Sequence, residues 1–200
     1  NSFKSIKLPD SLTTVGIAFN GTPIETLDTG GGFKITLSAF NSHKSTLKNL
    51  TVGSDTLQTE QTFEDATFQN FTVLETLTIR KNVKTLSTQL FELDSALTTV
   101  TLPSTLENIG DYAFNKCLAL NKVELPNGLI SIGKFSFGNM NLNSITIPST
   151  VTFIGDYAFY NNSNLTTIDD NSGLSTCSMV SSNTTINNKK TNTSLTCNAN

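Results

Sequence analysis

The sequence is built from a repeated unit, and an aromatic residue marks the end of each copy. Seven phenylalanines recur at intervals of 21, 28, 23, 23, 23 and 22 residues through the 200-residue chain. These marker residues are Phe19, Phe40, Phe68, Phe91, Phe114, Phe137 and Phe159. Self-similarity with a period in the twenties is typical of a solenoid, in which each unit packs only against its neighbours. The sequence therefore predicts an elongated stack of coils.

The first half of each unit has the pattern of a short strand, as the stretch from Leu97 to Leu120 illustrates. Val100 and Leu102 alternate with threonines, and this period of two predicts a strand with one buried face. Pro103 ends the strand, because proline cannot donate a hydrogen bond to a sheet. Equivalent apolar positions in neighbouring units are expected to stack above one another, so that each coil covers the last.

The second half of the unit predicts a bend followed by a helical turn. Gly110 permits a sharp bend, and Asp111 is well placed to cap one helical turn over residues 112–115. The predicted fold class is therefore an α/β solenoid. It is a right-handed coil of about seven leucine-rich repeats, each 21–28 residues long, with short parallel strands and helical turns.

The repeat pattern divides the chain into two parts. Residues 1–170 are predicted to form the solenoid, with the least regular units around the glycines at 30–32. Residues 171–200 are rich in Ser, Thr, Asn and Lys and are predicted to be a polar C-terminal cap or tail, or the edge of a following module. The chain starts inside a repeat with neither an initiator Met nor a signal peptide, as expected of a trimmed or mature fragment.

The surface is predicted to be polar but weakly charged. Charged residues make up 14% of the chain and the net charge is −3, which argues against a nucleic-acid ligand because such ligands need a clustered basic surface. No apolar run approaches the ~20 residues of a membrane span, so we expect no membrane insertion.

Two units carry a motif that resembles a known family. One contains Ile145-Thr146-Ile147-Pro148 followed by Ile154-Gly155 and Ala158-Phe159, and the preceding unit repeats the pattern from Val123. The motif is similar to BspA-type leucine-rich repeats over residues 3–170, with Cys117 at the frequent cysteine of the repeat. The resemblance implies a secreted or cell-surface protein of a host-associated bacterium or a protozoan. It also implies an adhesin that binds extracellular-matrix proteins, plasma proteins or other cells.

The three cysteines have different predicted roles. Cys117 lies at an inward position and is expected to be a buried free thiol. Cys177 and Cys197 flank the polar tail and could close a loop of 20 residues, although spacing alone leaves their pairing open. A disulfide there would indicate an oxidising compartment.

No group of residues in the sequence predicts an enzyme, a cofactor or a metal site. His43 is the only histidine and is expected to be an exposed loop residue. Asp111 and Asp156 share one position of the repeat but are explained by capping, and Asp169-Asp170 lacks the ligand spacing of a calcium loop. The glycines at 30–32 lack the Lys-Ser/Thr of a phosphate loop, and zinc-type Cys and His spacings are absent.

The outward strand positions form the candidate binding surface, which we call the ladder face. Its pairs are Ser5/Lys7, Thr26/Asp28, Asn49/Thr51, Thr76/Thr78, Thr99/Thr101, Lys122/Glu124, Ser144/Thr146 and Thr167/Asp169. The candidate contact residues are Thr76, Thr78, Thr99, Thr101, Lys122, Glu124, Ser144 and Thr146. Threonine also simply suits exposed strands, which is the structural alternative. Because the ladder face has no aromatic or Arg hot spots, we expect modest affinity at a single site.

The leading hypothesis is an extracellular or cell-surface module that binds a protein ligand, with host extracellular matrix as the candidate. One alternative is a structural spacer that presents another domain on the cell surface. A third is an ice-binding threonine array, which Lys122 and Glu124 would interrupt. The sequence leaves the ligand, the anchor and the oligomeric state open.

Overall fold

The computed structural model describes residues 4–12, 19, 21–32, 34–36, 40–181 and 183–197. Its regular structure consists of short strands and two 3-10 turns, at Asn41–His43 and Cys177–Met179. In chain order the strands are β1 (Ser5–Lys7), β2 (Thr26–Asp28), β3 (Asn49–Val52), β4 (Thr76–Ile79), β5 (Thr85–Leu86), β6 (Thr99–Thr101), β7 (Asn108–Ile109), β8 (Ser131–Ile132), β9 (Ile145–Ile147), β10 (Phe153–Ile154), β11 (Thr167–Asp170), β12 (Thr184–Asn188) and β13 (Thr193–Cys197).

The strands stack into a parallel β-solenoid of about seven turns. One sheet has the order β1-β2-β3-β4-β6, and the sheet β9-β11-β12-β13 occupies the same position of the repeat further along the chain. A second row of short strands, β5-β7-β8-β10, forms another side of the coil. The register places Leu50 beside Leu77 and Leu77 beside Val100, as the sequence predicted.

A column of phenylalanine rings fills the centre of the solenoid. The last six marker residues are each no more than 1% exposed. Successive rings lie 5.5–6.3 Å apart between centroids with interplanar angles of 5–16°. Leucine, isoleucine and valine side chains from the strands surround this column. Each repeat of the sequence therefore adds one phenylalanine ring to the core.

Within the described ranges the corners of the coil contain no α-helix and only two short 3-10 turns, so the solenoid is confirmed as a parallel β-solenoid and the predicted helical turns are not supported. Tyr112 has φ +58°, a left-handed conformation that no right-handed helix contains. Phe114 N–H donates to Ser136 O of the next coil, at 2.8 Å, instead of bonding back along its own turn. Asp111 does not cap its own segment either, since its Oδ1 accepts from Lys134 N at 2.7 Å.

Within the described ranges, no helix is long and apolar enough to cross a membrane.

Buried polar contacts hold the two irregular units together. Asn82 Nδ2 donates to Gly31 O and Thr59 O, both at 3.0 Å, and its Oδ1 accepts from Ser54 N at 2.6 Å. A Cβ atom at Gly31 would lie 2.7 Å from Ser54 N, so this close approach requires glycine. The irregular turn predicted at residues 30–32 is thus a packed junction between coils.

The C-terminal residues continue the stack as a hairpin. β12 pairs in parallel with β11, and β13 turns back antiparallel to β12. Cys177 and Cys197, whose pairing the sequence left open, are joined by a disulfide across 20 residues. The division at residue 170 into a solenoid and a cap stays a prediction, and residues 1–3 and 198–200 at its outer ends lie outside the described part of the chain.

We expect reduction of this disulfide to destabilise the hairpin, because the cross-link limits the freedom of the unfolded chain. For a loop of this length the loss is about 3 kcal/mol. Thermal unfolding with and without reductant, together with hydrogen exchange of β12 and β13, measures it. A Cys177→Ser/Cys197→Ser variant is the control and should not respond to reductant. Equal melting of the native chain under both conditions would contradict the expectation.

Candidate functional site

The central part of the ladder face presents hydroxyl groups in register. Thr76 lies beside Thr99 on the neighbouring strand, and Thr78 lies beside Thr101. The hydroxyls of Thr78, Thr99 and Thr101 are exposed, and no protein group in the described ranges hydrogen-bonds them. These side chains are therefore available to water or to a partner.

The N-terminal part of the ladder face is instead occupied by its own contacts. Thr76 Oγ1 donates to Asn49 Oδ1 at 2.7 Å, and Asn49 Nδ2 donates to Thr26 Oγ1 at 3.3 Å. Asp28 accepts two hydrogen bonds from Arg80, each 2.9 Å long. Because these groups already satisfy one another, the hydroxyls nearer the centre are the better contact candidates.

The strand pattern breaks at residues 122–125, between β6 and β9. Lys122 and Glu124 form no strand there, and their side chains pair with each other at 2.9 Å while 71% and 83% exposed. This hydrogen-bonded pairing raises the pKa of Lys122 and lowers the pKa of Glu124. The break opens a cleft of about 350 Å³ on the β6 side and one of about 260 Å³ on the β9 side.

The two clefts join the predicted contact residues into one surface. The first is lined by Thr99, Thr101, Lys122 and Glu124, among others. The second is lined by the same Lys-Glu pair together with Ser144 and Thr146. Thr76 and Thr78 extend the surface on the adjacent strand. The structure thus places all eight predicted residues side by side, with two shallow depressions at the centre.

His43 is buried, and the expectation of an exposed loop histidine is wrong. The residue is 1% exposed, its Nε2 lies 3.1 Å from Phe19 O, and its ring packs edge-on against Phe40. It occupies the inward position three residues after a marker phenylalanine, the position that Cys117 fills in a later coil. The histidine therefore belongs to the core.

The acidic residues act as structural acceptors. Asp170 Oδ1 accepts from Ser172 N and Ser172 Oγ at 2.8 and 2.6 Å and from Gly173 N at 3.0 Å, while Oδ2 accepts from Ser175 N. Burial raises the pKa of Asp170, but these hydrogen bonds outweigh it and leave the pKa below its usual value. Among the described residues, no three His, Cys, Asp or Glu side chains come together as metal ligands would.

Asp94 is a buried carboxyl in the same inward row as His43 and Cys117. Its Oδ1 accepts from Phe71 N at 2.7 Å, and its Oδ2 has no partner among the described atoms. Burial raises its pKa well above the usual range, although the Phe71 N–H and the charge of Lys44 oppose the shift. Asp94 does not line any of the surface pockets described, so its perturbation reflects its place in the core.

Asn162 occupies the position equivalent to Asp94 in a later coil and shows how a side-chain amide is hydrogen-bonded there. Its Oδ1 accepts from Leu142 N at 3.0 Å, and its Nδ2 donates to Phe137 O and Phe159 O at 2.8 and 2.9 Å. Asp94 likewise accepts a backbone N–H from the preceding coil, although from a different position of that coil, and its second oxygen can act as a donor only when it carries a proton. The neutral acid is therefore the form that suits the fold.

We expect Asp94→Asn to stabilise the protein at neutral pH by about 1–3 kcal/mol, because it removes the cost of an unsatisfied buried group. The folded state holds the Asp94 proton more tightly than the unfolded chain does. This carboxyl therefore favours folding below the unfolded pKa of about 3.9 and costs stability as the pH rises through the folded value.

Urea unfolding of the native chain and of the Asp94→Asn variant between pH 4 and pH 7.5 measures the gain in stability as the difference between their unfolding midpoints. The difference should widen as the pH rises. Glu92 and the Cys117 thiol face the same region, and both remain in the variant. Asp156→Asn, at an exposed carboxyl, is the matched control. A difference that is independent of pH would refute the assignment.

An exposed aromatic cluster was missed by the sequence analysis. Tyr112, Phe135 and Tyr157 stack with centroids 5.3 and 4.9 Å apart, and Tyr160 stands nearly perpendicular to the last two. Tyr157 is 42% exposed and Tyr160 is 40% exposed. The signal was present, since the three stacked rings each lie two residues before a marker phenylalanine. They supply the aromatic surface that the ladder face lacks.

The repeat motif and the observed solenoid agree with one family. The sequence matches the BspA type leucine rich repeat region in six copies, over residues 1–96 and 93–198. The chain belongs to this family. No curated protein has significant sequence similarity to it.

Solved structures of other leucine-rich repeat proteins share the fold. A T. pallidum protein has 22% identity and a TM-score of 0.59, over 68% of this chain and 62% of its own. A Bacteroides ovatus protein has 22% identity and a TM-score of 0.58, over 84% of this chain and 55% of its own. A leucine rich cell surface protein from Faecalibacterium prausnitzii has 25% identity and a TM-score of 0.50, over 86% and 48%. The chain thus spans little more than half the length of the first two.

Proposed function

We propose that this chain is a protein-binding module of a secreted or cell-surface protein, and that the ladder face is its contact surface. The observation that carries the proposal is the set of central hydroxyls, which are in register, exposed and free of contacts within the described protein. A BspA-type repeat builds such a surface from each coil, so the outward residues can vary without disturbing the core.

An adhesive role on a host-associated organism fits this surface. The relative from F. prausnitzii is named a cell surface protein. The Cys177–Cys197 disulfide favours an oxidising compartment such as the cell exterior. Within this proposal, the ligands are host extracellular-matrix or plasma proteins, or proteins on other cells.

The chemistry of the ladder face predicts contacts that are weak individually and that give strong binding through avidity. Hydroxyl groups make adaptable hydrogen bonds, but the central surface has no aromatic or Arg anchor that would give high affinity at one point. Several coils or several copies acting together would multiply the apparent affinity. A protein that is displayed in many copies on a surface meets this requirement.

We expect Thr99→Lys/Thr146→Lys to weaken binding to immobilised matrix proteins at least tenfold, because the two lysines obstruct both sides of the break at 122–125. Surface plasmon resonance against fibronectin, fibrinogen, laminin and collagen measures it. Thr85→Lys/Thr152→Lys places the same charges beside the second row of strands and should bind like the native chain.

Equal binding by the native chain and the ladder variant would remove the ladder face from the proposal. Failure of the native chain to bind any matrix or plasma protein would leave the spacer interpretation in its place. Circular dichroism and thermal melting of each variant separate a loss of contact from a loss of fold.

A further inference from the structure

A groove runs along the solenoid on a different side from the ladder face. We call it the axial groove. It has a volume of about 450 Å³ and is formed by two parallel rows of side chains from five successive coils. The first row consists of Asn70, Leu93, Lys116, Asn139 and Asn161. The second row, two residues later in each coil, consists of Thr72, Ser95, Leu118, Asn141 and Ser163. Four spacings of about 4.8 Å make the groove roughly 20 Å long.

The amide side chains of the groove are fixed by a chain of hydrogen bonds. Asn161 Nδ2 donates to Asn139 Oδ1 at 3.0 Å, and Asn139 Nδ2 donates to Asn115 Oδ1 at 2.8 Å. Asn115 Nδ2 then donates to Glu92 Oε1 at 2.7 Å. Because every bond points towards one buried acceptor, the outer amides are oriented before any ligand arrives.

Glu92 anchors this chain beneath the surface. The residue is 7% exposed, and its Oε2 accepts from Gln69 Nε2 and Gln89 Nε2, each at 2.7 Å. An acceptor group that receives three amide hydrogen bonds polarises the bonds that lead to it. Each outer amide uses only part of its capacity, since an amide offers two N–H donors and a carbonyl acceptor. Asn139 and Asn161 each spend one N–H on the chain and retain the other.

The groove lacks the clustered charge that a strongly ionic ligand would require. Among the described residues that line it, Lys116 alone carries a charge. The other lining groups are amides, hydroxyls and apolar side chains, including Leu93 and Leu118, which are 36% and 51% exposed. A ligand that fits this lining is uncharged, carries hydroxyls that both donate and accept, and has C–H surfaces to cover the leucines.

The first row of the groove offers no free backbone N–H groups to an added peptide strand. In the first row the N–H groups of Asn70, Leu93, Lys116 and Asn139 each donate to a carbonyl of the next coil, at 2.7–3.0 Å. Asn161 N donates to Ser181 Oγ at 2.6 Å. Strand addition needs a free row of backbone groups, and this row is already used. Recognition along this row therefore goes through side chains.

We propose that the axial groove binds a neutral linear polysaccharide along the solenoid axis. Sugar hydroxyls match the amide and hydroxyl rows, and the C–H faces of the sugar rings cover Leu93 and Leu118. The ligand class differs from the protein ligand of the ladder face, so the two surfaces can be tested separately.

A carbohydrate array with neutral glucan, mannan and xylan chains, and with heparan sulfate and hyaluronan as polyanionic comparisons, tests the proposal. Isothermal titration with oligosaccharides of the glycan that binds then gives affinities. Asn139→Gly/Asn161→Gly removes two groove amides while keeping their positive φ, +53° and +55°, which glycine adopts without strain. We expect this variant to bind at least tenfold more weakly than the native chain.

Leu118→Arg provides a second variant that obstructs the groove at an exposed position and leaves the amide chain intact. It should also lose binding. Asn121→Ala/Asn143→Ala, at exposed amides outside the groove, and the ladder variant Thr99→Lys/Thr146→Lys should both bind the glycan normally. The proposal is overturned if no neutral glycan binds, if only the polyanions bind, or if both groove variants retain full affinity.

Discussion

The contact of each coil with the next is the constraint on which the rest of the structure depends. A single coil has only a few apolar side chains and a two- to five-residue strand, which is too little to form a core alone. Stacking pairs each strand with its neighbours and places each marker phenylalanine against the previous one. The distance between successive coils is therefore set both by the packing of the phenylalanine rings and by the backbone hydrogen bonds between corners.

This spacing explains how polar residues are tolerated inside the stack. The inward row, three residues after each of the last six markers, holds His43, Phe71, Asp94, Cys117, Met140 and Asn162. The polar members each find a backbone group, because every corner presents N–H and C=O groups at the same place. Cys117 Sγ, for instance, donates to Phe91 O at 3.2 Å. Chemical variety in this row thus reflects local backbone partners, with Asp94 Oδ2 as the exception that has none among the described atoms.

Sequence periodicity predicted the strands and the register of most of the ladder face, because a period of two directly reports which side chains point inward, but Lys122 and Glu124 were expected on a strand and lie on none. The corners were not predictable in the same way. Tyr112, Phe135 and Tyr157 adopt positive φ, which sequence normally signals through Gly or Asn. The polar neighbours of His43 predict an exposed loop, although its place three residues after Phe40 indicates burial. The axial groove and the aromatic cluster unite residues 22–24 positions apart, so only the stacked coils reveal them.

The two surfaces differ because the backbone beneath them differs. On the ladder face, extended strands direct alternate side chains outward, and the hydroxyls of Thr78, Thr99 and Thr101 make no hydrogen bond to the described part of the protein. At the groove, the left-handed corners turn amides towards one another, and a buried carboxylate holds them in line. The first arrangement suits an adaptable protein contact, whereas the second suits a ligand recognised in a fixed geometry. One repeating coil can therefore carry two kinds of recognition, since each additional coil lengthens both surfaces by the same step along the axis.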